Sequence, residues 1–217
     1  MSTLRTSAQA YAWLMAAALV FPGALRFPSS SAQLMAQSPQ LFDFALEDQF
    51  KHEWTRADVA GQTLVVLLAD REGSAWSEDW GRTLTDSLQA AIDSGQLRLM
   101  PVAHARGVPF FIKGMVRGSF SDDPDRWVLI DWGGEFAQRY PFVEQHTNLL
   151  VFSEDGVLVA HFPMQAPAPE SLASVLECVR SAMAAGVAGD PGRDADPRRE
   201  AGTDAQSCPL DATPDHP

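Results

Sequence analysis

Seven consecutive residues, Thr63–Ala69 (TLVVLLA), carry no polar position after the first. A strand of this composition is covered on both faces, as happens when helices flank a parallel or mixed sheet. The period then changes. Trp76, Trp80, Leu84, Leu88 and Ile92 recur every four residues and Ser94-Gly95 end the run, which predicts a helix from Ser74. Residues 97–103 read as a second buried strand, with Pro101 near an end or a bulge. Residues 108–116 predict a helix with Val108, Phe111, Ile112 and Met115 on its apolar face. A third strand follows at 127–130, and a helical turn at 135–140. Segments 149–152 and 157–162, joined through Glu154-Asp155-Gly156, form a hairpin. A last helix from Pro169 to about residue 184 buries Leu172, Val175, Leu176 and Val179. Ahead of all this, 42–46 alternates at strand period and Glu47-Asp48-Gln49 turns into a short segment ending at Trp54. The order is that of an α/β domain with a mixed sheet and helices on both faces.

The ends of the chain have a different character. Residues 10–25 (AYAWLMAAALVFPGAL) hold no charge, follow Arg5, and lead into Ser30-Ser31-Ala32, a small-x-small site. This pattern predicts an export signal over 1–32, then a linker over 33–40. The run is short for a bilayer span, and an uncleaved inner-membrane anchor is the alternative. With the signal removed, no transmembrane segment is expected, and the location is periplasmic or secreted. Residues 186–217 are rich in Gly, Pro, Asp and Ala and are expected to be a disordered acidic tail. One domain, residues 41–185, remains. It carries 11 basic and 21 acidic residues, a net −10, which disfavours nucleic acid as a partner.

A resemblance joins these pieces. Phe44-x-Leu46-x-Asp48, then Ala60-Gly61-Gln62-Thr63-Leu64-Val65-Val66, then the 130–140 stretch beginning Ile130-Asp131-Trp132-Gly133-Gly134, and finally the Asp155-Gly156 hairpin together resemble the thioredoxin-like superfamily. The nearest branch is that of redoxin, peroxiredoxin-like and periplasmic thiol-oxidoreductase-like domains. The resemblance implies a three-layer sandwich with a mixed central sheet and an N-terminal β-hairpin. It also implies a reactive Cys, or a Cys-x-x-Cys pair, where the first core strand turns into the first long helix, faced by a cis-proline. At that turn this chain reads Asp70-Arg71-Glu72-Gly73-Ser74-Ala75-Trp76, and no Cys occurs before Cys178. Thr147-Asn148 stands where the proline is expected. The turn is therefore read as a degenerate active-site loop with no catalytic residue, in a redox-inactive domain that binds a protein or peptide. The alternatives are a redoxin-related thiol or peroxide oxidoreductase with a non-standard site, and a metal-binding thioredoxin-like protein.

Residues at the carboxyl ends of the core strands are the binding candidates: His104, Asp131, Trp132, Thr147 and Asn148. Ser74, close to Asp70 and His104, invites a hydrolase reading, but its place at a helix start favours capping by its hydroxyl. His104 and His146 could join an Asp on a divalent ion, yet no close His spacing supports a metal centre and no cofactor motif is present. Arg106, Lys113 and Arg117 interrupt the acidic background, with no acid from 105 to 120. They read either as a solvated basic face over a buried Phe stripe or as a docking surface for an acidic partner or a lipid interface. Cys178 is expected to pack as a small core residue, and in an oxidising compartment it could pair with Cys208.

Overall fold

The computed structural model describes residues 38–188. The expected signal over 1–32, most of the linker and nearly all of the tail, including Cys208, lie outside them. A seven-stranded mixed sheet organises the body. Its strands are β1 (Ala45–Asp48), β2 (Glu53–Thr55), β3 (Thr63–Ala69), β4 (Leu97–His104), β5 (Leu129–Asp131), β6 (Thr147–Phe152) and β7 (Leu158–Met164), in the spatial order β2-β1-β5-β4-β3-β6-β7. β3 runs parallel to β4 and antiparallel to β6, so it is an interior strand paired on both edges, and all seven of its residues are buried.

Side-chain alternation on β3 and β6 divides the core in two. Val65, Leu67, Leu149 and Val151 face α1 (Ser74–Asp93) and α4 (Pro169–Ala188), where Trp80, Leu84, Leu88, Val175, Cys178 and Val179 complete one cluster. Leu64, Val66, Leu68, Leu150 and Phe152 face the other way, toward Phe44, Phe136 and Tyr140. This second face is closed by the N-terminal hairpin and by α3 (Glu135–Arg139). Tyr140 ties the layer together, since its hydroxyl donates to the Gln40 carbonyl at 2.8 Å and accepts the Phe42 N–H at 3.0 Å. Burial raises the pKa of that phenol, keeping it in the neutral form that can donate.

Local chemistry accounts for several expected elements. The Asp of Phe44-x-Leu46-x-Asp48 closes the β1–β2 turn: its Oδ1 accepts the N–H of Phe50 (2.8 Å) and of His52 (2.9 Å). Pro101 lies inside β4, but pairing with β5 begins only at Val102, so Pro101 stands where that edge is still open.

The expected helix at 108–116 does not form as one piece. A 3₁₀ turn, Phe110–Ile112, leads into a single α-turn, α2 (Lys113–Arg117), and neither contains a buried residue. Phe111 and Met115, expected to face the core, are 74% and 78% exposed. The buried Phe stripe under a basic face is therefore incorrect. The period was right for a helix face, but the body offers no surface to receive it.

Candidate functional site

The turn from β3 into α1, where the resemblance leads one to expect a reactive centre, is tied to the facing turn by hydrogen bonds. Asp70 directs both carboxylate oxygens at backbone: Oδ1 accepts the Gly73 N–H at 2.7 Å and Oδ2 accepts the Gln145 N–H at 2.8 Å. Thr147, fully buried, donates its hydroxyl to the Gly73 carbonyl at 2.9 Å. Gly73 approaches the His146 backbone so closely that a Cβ would collide with the His146 carbonyl. Gly73 has φ −75°, so it is this space, rather than backbone freedom, that calls for glycine. The facing turn is made by Gln145 at φ +62°, and no peptide bond among the described residues is cis.

Asn148 supplies from its side chain what holds that turn. Its Oδ1 accepts the Val143 N–H (2.8 Å) and lies 2.9 Å from His161 Nε2, and its amide donates to the Val143 carbonyl at 2.9 Å. Longer contacts reach the carbonyls of His146 (3.3 Å) and Leu68 (3.4 Å). Asn148, Thr147 and His161 are all buried polar residues, and such residues are tolerated only when satisfied in this manner. Thr147 and Asn148 thus seal the turn from within and are not displayed to a ligand.

Ser74 is not the cap it was expected to be. The N-cap of α1 is Gly73, no side chain caps the helix, and the exposed Ser74 hydroxyl donates to the Arg71 carbonyl at 2.8 Å. Asp70, three residues before Gly73, does the local hydrogen bonding instead. Asp131 is likewise structural. It is completely buried, and its two oxygens accept the N–H groups of Gly134 (2.7 Å) and Phe136 (2.9 Å) at the start of α3. Asp131 and His104 are register partners on β5 and β4, yet the carboxylate turns to the helix.

What remains open is a cleft of roughly 450 Å³ beside the seam, lined among others by Asp70, Arg71, Glu72, His104, Arg106 and Phe142. The His104 ring tilts against Phe142 at 5.0 Å. Its Nδ1 is the one buried side-chain polar atom without a hydrogen-bond partner among the described residues. Arg71 and Arg106 are exposed and form no ion pair there, and neither do Glu72 and Glu144, so the rim presents free groups of both signs. Phe142, Glu144 and Gln145 were not singled out in the sequence. The signal available was their place just before Thr147, on the loop that must face residues 70–73.

The remaining candidates do not converge on this cleft. Trp132 is half-buried beneath Lys113, whose ammonium lies 4.8 Å from its ring. Arg117 pairs with Glu47 (2.7 Å) and donates to the Asp48 carbonyl (2.8 Å), pinning α2 to β1. His146 Nδ1 is 2.8 Å from the Glu144 carbonyl, and no cluster of three His, Cys, Asp or Glu among the described residues could hold a metal ion. Cys178 is buried in the α4 face and engaged in a disulfide.

No family profile and no curated protein sequence matches the chain. Solved structures do. A hypothetical protein from Sinorhizobium meliloti is similar over 70% of this chain and 86% of its own, at 14% identity and a TM-score of 0.51. The exposed lipoprotein thioredoxin of Streptococcus pneumoniae is 18% identical over 63% of this chain and 99% of its own, with a TM-score of 0.45. The thioredoxin domain of a thiol-disulfide oxidoreductase from Bacteroides vulgatus is 14% identical over 66% and 96%, also at 0.45. With the strand order, the β1–β2 hairpin and the helical layers already described, this chain has the thioredoxin-like fold.

Proposed function

We propose that this is a thioredoxin-like binding domain of the cell envelope that carries no thiol chemistry and takes a protein or peptide partner at the cleft between residues 70–72, 104–106 and 142–145. One observation carries the reading: the turn expected to present a reactive thiol is tied down by Asp70, Gly73, Thr147 and Asn148, and no cysteine precedes Cys178 in the chain. A thiolate nucleophile in this fold needs a helix N-terminus to lower its pKa and open space for a disulfide to approach. Cys178 has neither, being buried within α4. A cleft edged by uncommitted charges of both signs suits a polypeptide, whose backbone and side chains supply complementary partners.

The purified full chain is expected to turn over neither insulin disulfides nor peroxide. Turnover abolished by Cys178→Ser or Cys208→Ser overturns the reading. Peptide mapping without reductant is expected to find Cys178 bridged to Cys208, and a Cys208 that stays alkylatable would instead favour a mobile thiol. A photo-crosslinker at Glu144 is expected to form adducts that one at exposed Ser87 does not, and equal labelling removes the cleft as the binding site. For export, the mature chain is expected to begin just after Ala32.

A further inference from the structure

Three of the large apolar side chains most exposed among the described residues fall within six positions: Phe110 (84%), Phe111 (74%) and Met115 (78%). They do not line a groove. They project from the 3₁₀ turn and from α2, with the two phenyl rings edge to face at 5.8 Å. The polar residues of the same segment turn inward. Arg117 is fixed on Glu47 and the Asp48 carbonyl, and Lys113 lies over Trp132. This inverts ordinary packing, in which apolar side chains reach the body and cations reach water. The anchoring holds three hydrophobic groups largely in solvent, with the two rings packed on each other and not on the body.

We infer that this projecting tip docks the domain on a lipid surface, with Phe110, Phe111 and Met115 entering the boundary between headgroups and acyl chains. Three observations select a bilayer over a protein groove as the occupant. Phe110, Phe111 and Met115 line neither of the two cavities of the described residues, and exposed aromatic and aliphatic groups enter a fluid interface without needing a matching cavity. Residues 105–120 contain no acid in a body of net −10, and Lys113 at the base of the tip is in no ion pair, so this segment approaches anionic headgroups without repulsion from its own side chains. The uncharged run at residues 10–25 is of the kind that brings a chain to a bilayer, in transit or as an anchor, so the surface is at hand. The inference does not depend on the cleft or on its partner.

The test is amide hydrogen exchange of the full chain with and without vesicles of phosphatidylcholine and phosphatidylglycerol. Exchange is read in residues 109–117, so binding through the N-terminal run does not mask the result. Slower exchange in that segment is expected. It should be lost in Phe110→Asp/Phe111→Asp, with a drop in protection of at least about tenfold, since each large apolar side chain removed from water contributes that much to partition. Neither ring packs in the core, so the variant is expected to keep the parent's denaturation midpoint, which separates lost docking from lost folding. Protection is expected to weaken on phosphatidylcholine alone. Unchanged exchange on the anionic vesicles, or equal protection in the double variant, overturns the inference.

Discussion

The seam beside β3 and the tip at residues 110–115 handle their polar and apolar groups in opposite ways. At the seam, Thr147 and Asn148 are buried and Asp70 half-buried, and all three are matched to backbone, binding N–H and carbonyl groups of residues 68–73 and 143–148. At the tip, apolar side chains stand in water while Arg117 and Lys113 hold their base. Each breaks the usual sorting of residues, but only the first is compensated within the chain. A buried polar group satisfied by hydrogen bonds is at rest, whereas an exposed apolar patch implies a surface outside the molecule. Folding requirements explain the seam. They do not explain the tip.

Removing Asn148 tests that contrast most severely. Asn148→Ala removes the side-chain bonds to the Val143 N–H and carbonyl and the buried contact with His161 Nε2, and a loss of roughly 2–3 kcal/mol is expected, seen as a lower denaturant midpoint with an unchanged slope. Should the loss be under about 0.5 kcal/mol, the seam is not a stabilising element. Gly73→Ala comes next, because its methyl must push the His146 carbonyl away. About 1–3 kcal/mol is expected, with faster amide exchange at Gln145 as the two turns part. Arg117→Gln is milder. It removes a partly exposed ion pair and one bond to the Asp48 carbonyl, for about 0.5–1 kcal/mol, and is expected to loosen residues 110–117 without touching the seam.

The smallest effect belongs to neither region and calibrates both. Asp58 sits fully exposed in the 3₁₀ turn after β2, where the Thr55 backbone N–H and then its hydroxyl bond the carboxylate and lower its pKa. A lowered folded-state pKa stabilises above the unfolded value, near pH 4, and the benefit is lost as pH falls through the folded value. The difference in thermal midpoint between parent and Asp58→Ala is therefore expected to be present at pH 7 and to shrink as the pH is lowered below about 4. A difference independent of pH would assign the role to packing.

The sequence carried the fold well where burial is decided by neighbours in the chain. The TLVVLLA strand, the four-residue spacing of Trp80, Leu84 and Leu88, and the Asp155-Gly156 hairpin all appear as read. It failed where burial depends on another element being present. Phe111 and Met115 have helical spacing, but no element of the body covers them. Side-chain roles at the site were legible only in kind. That Asp70, Ser74, Thr147 and Asn148 would sit around one turn was implied by the family resemblance. Which of them would cap, which would clamp and which would be left over depended on angstrom-scale distances. Asp70 took the hydrogen bonding expected of Ser74, and Asn148 took over a turn expected to need proline.

The contact between Gly73 and the His146 carbonyl bears on how such a domain can change over time. Gly73 is the N-cap of α1, and the space that a Cβ there would need is taken by the His146 carbonyl. Any side chain there, sulfur-bearing or not, meets the same carbonyl before it meets a substrate. A larger residue at 73 therefore requires the turn at 143–148 to move as well, so the two turns can change only together.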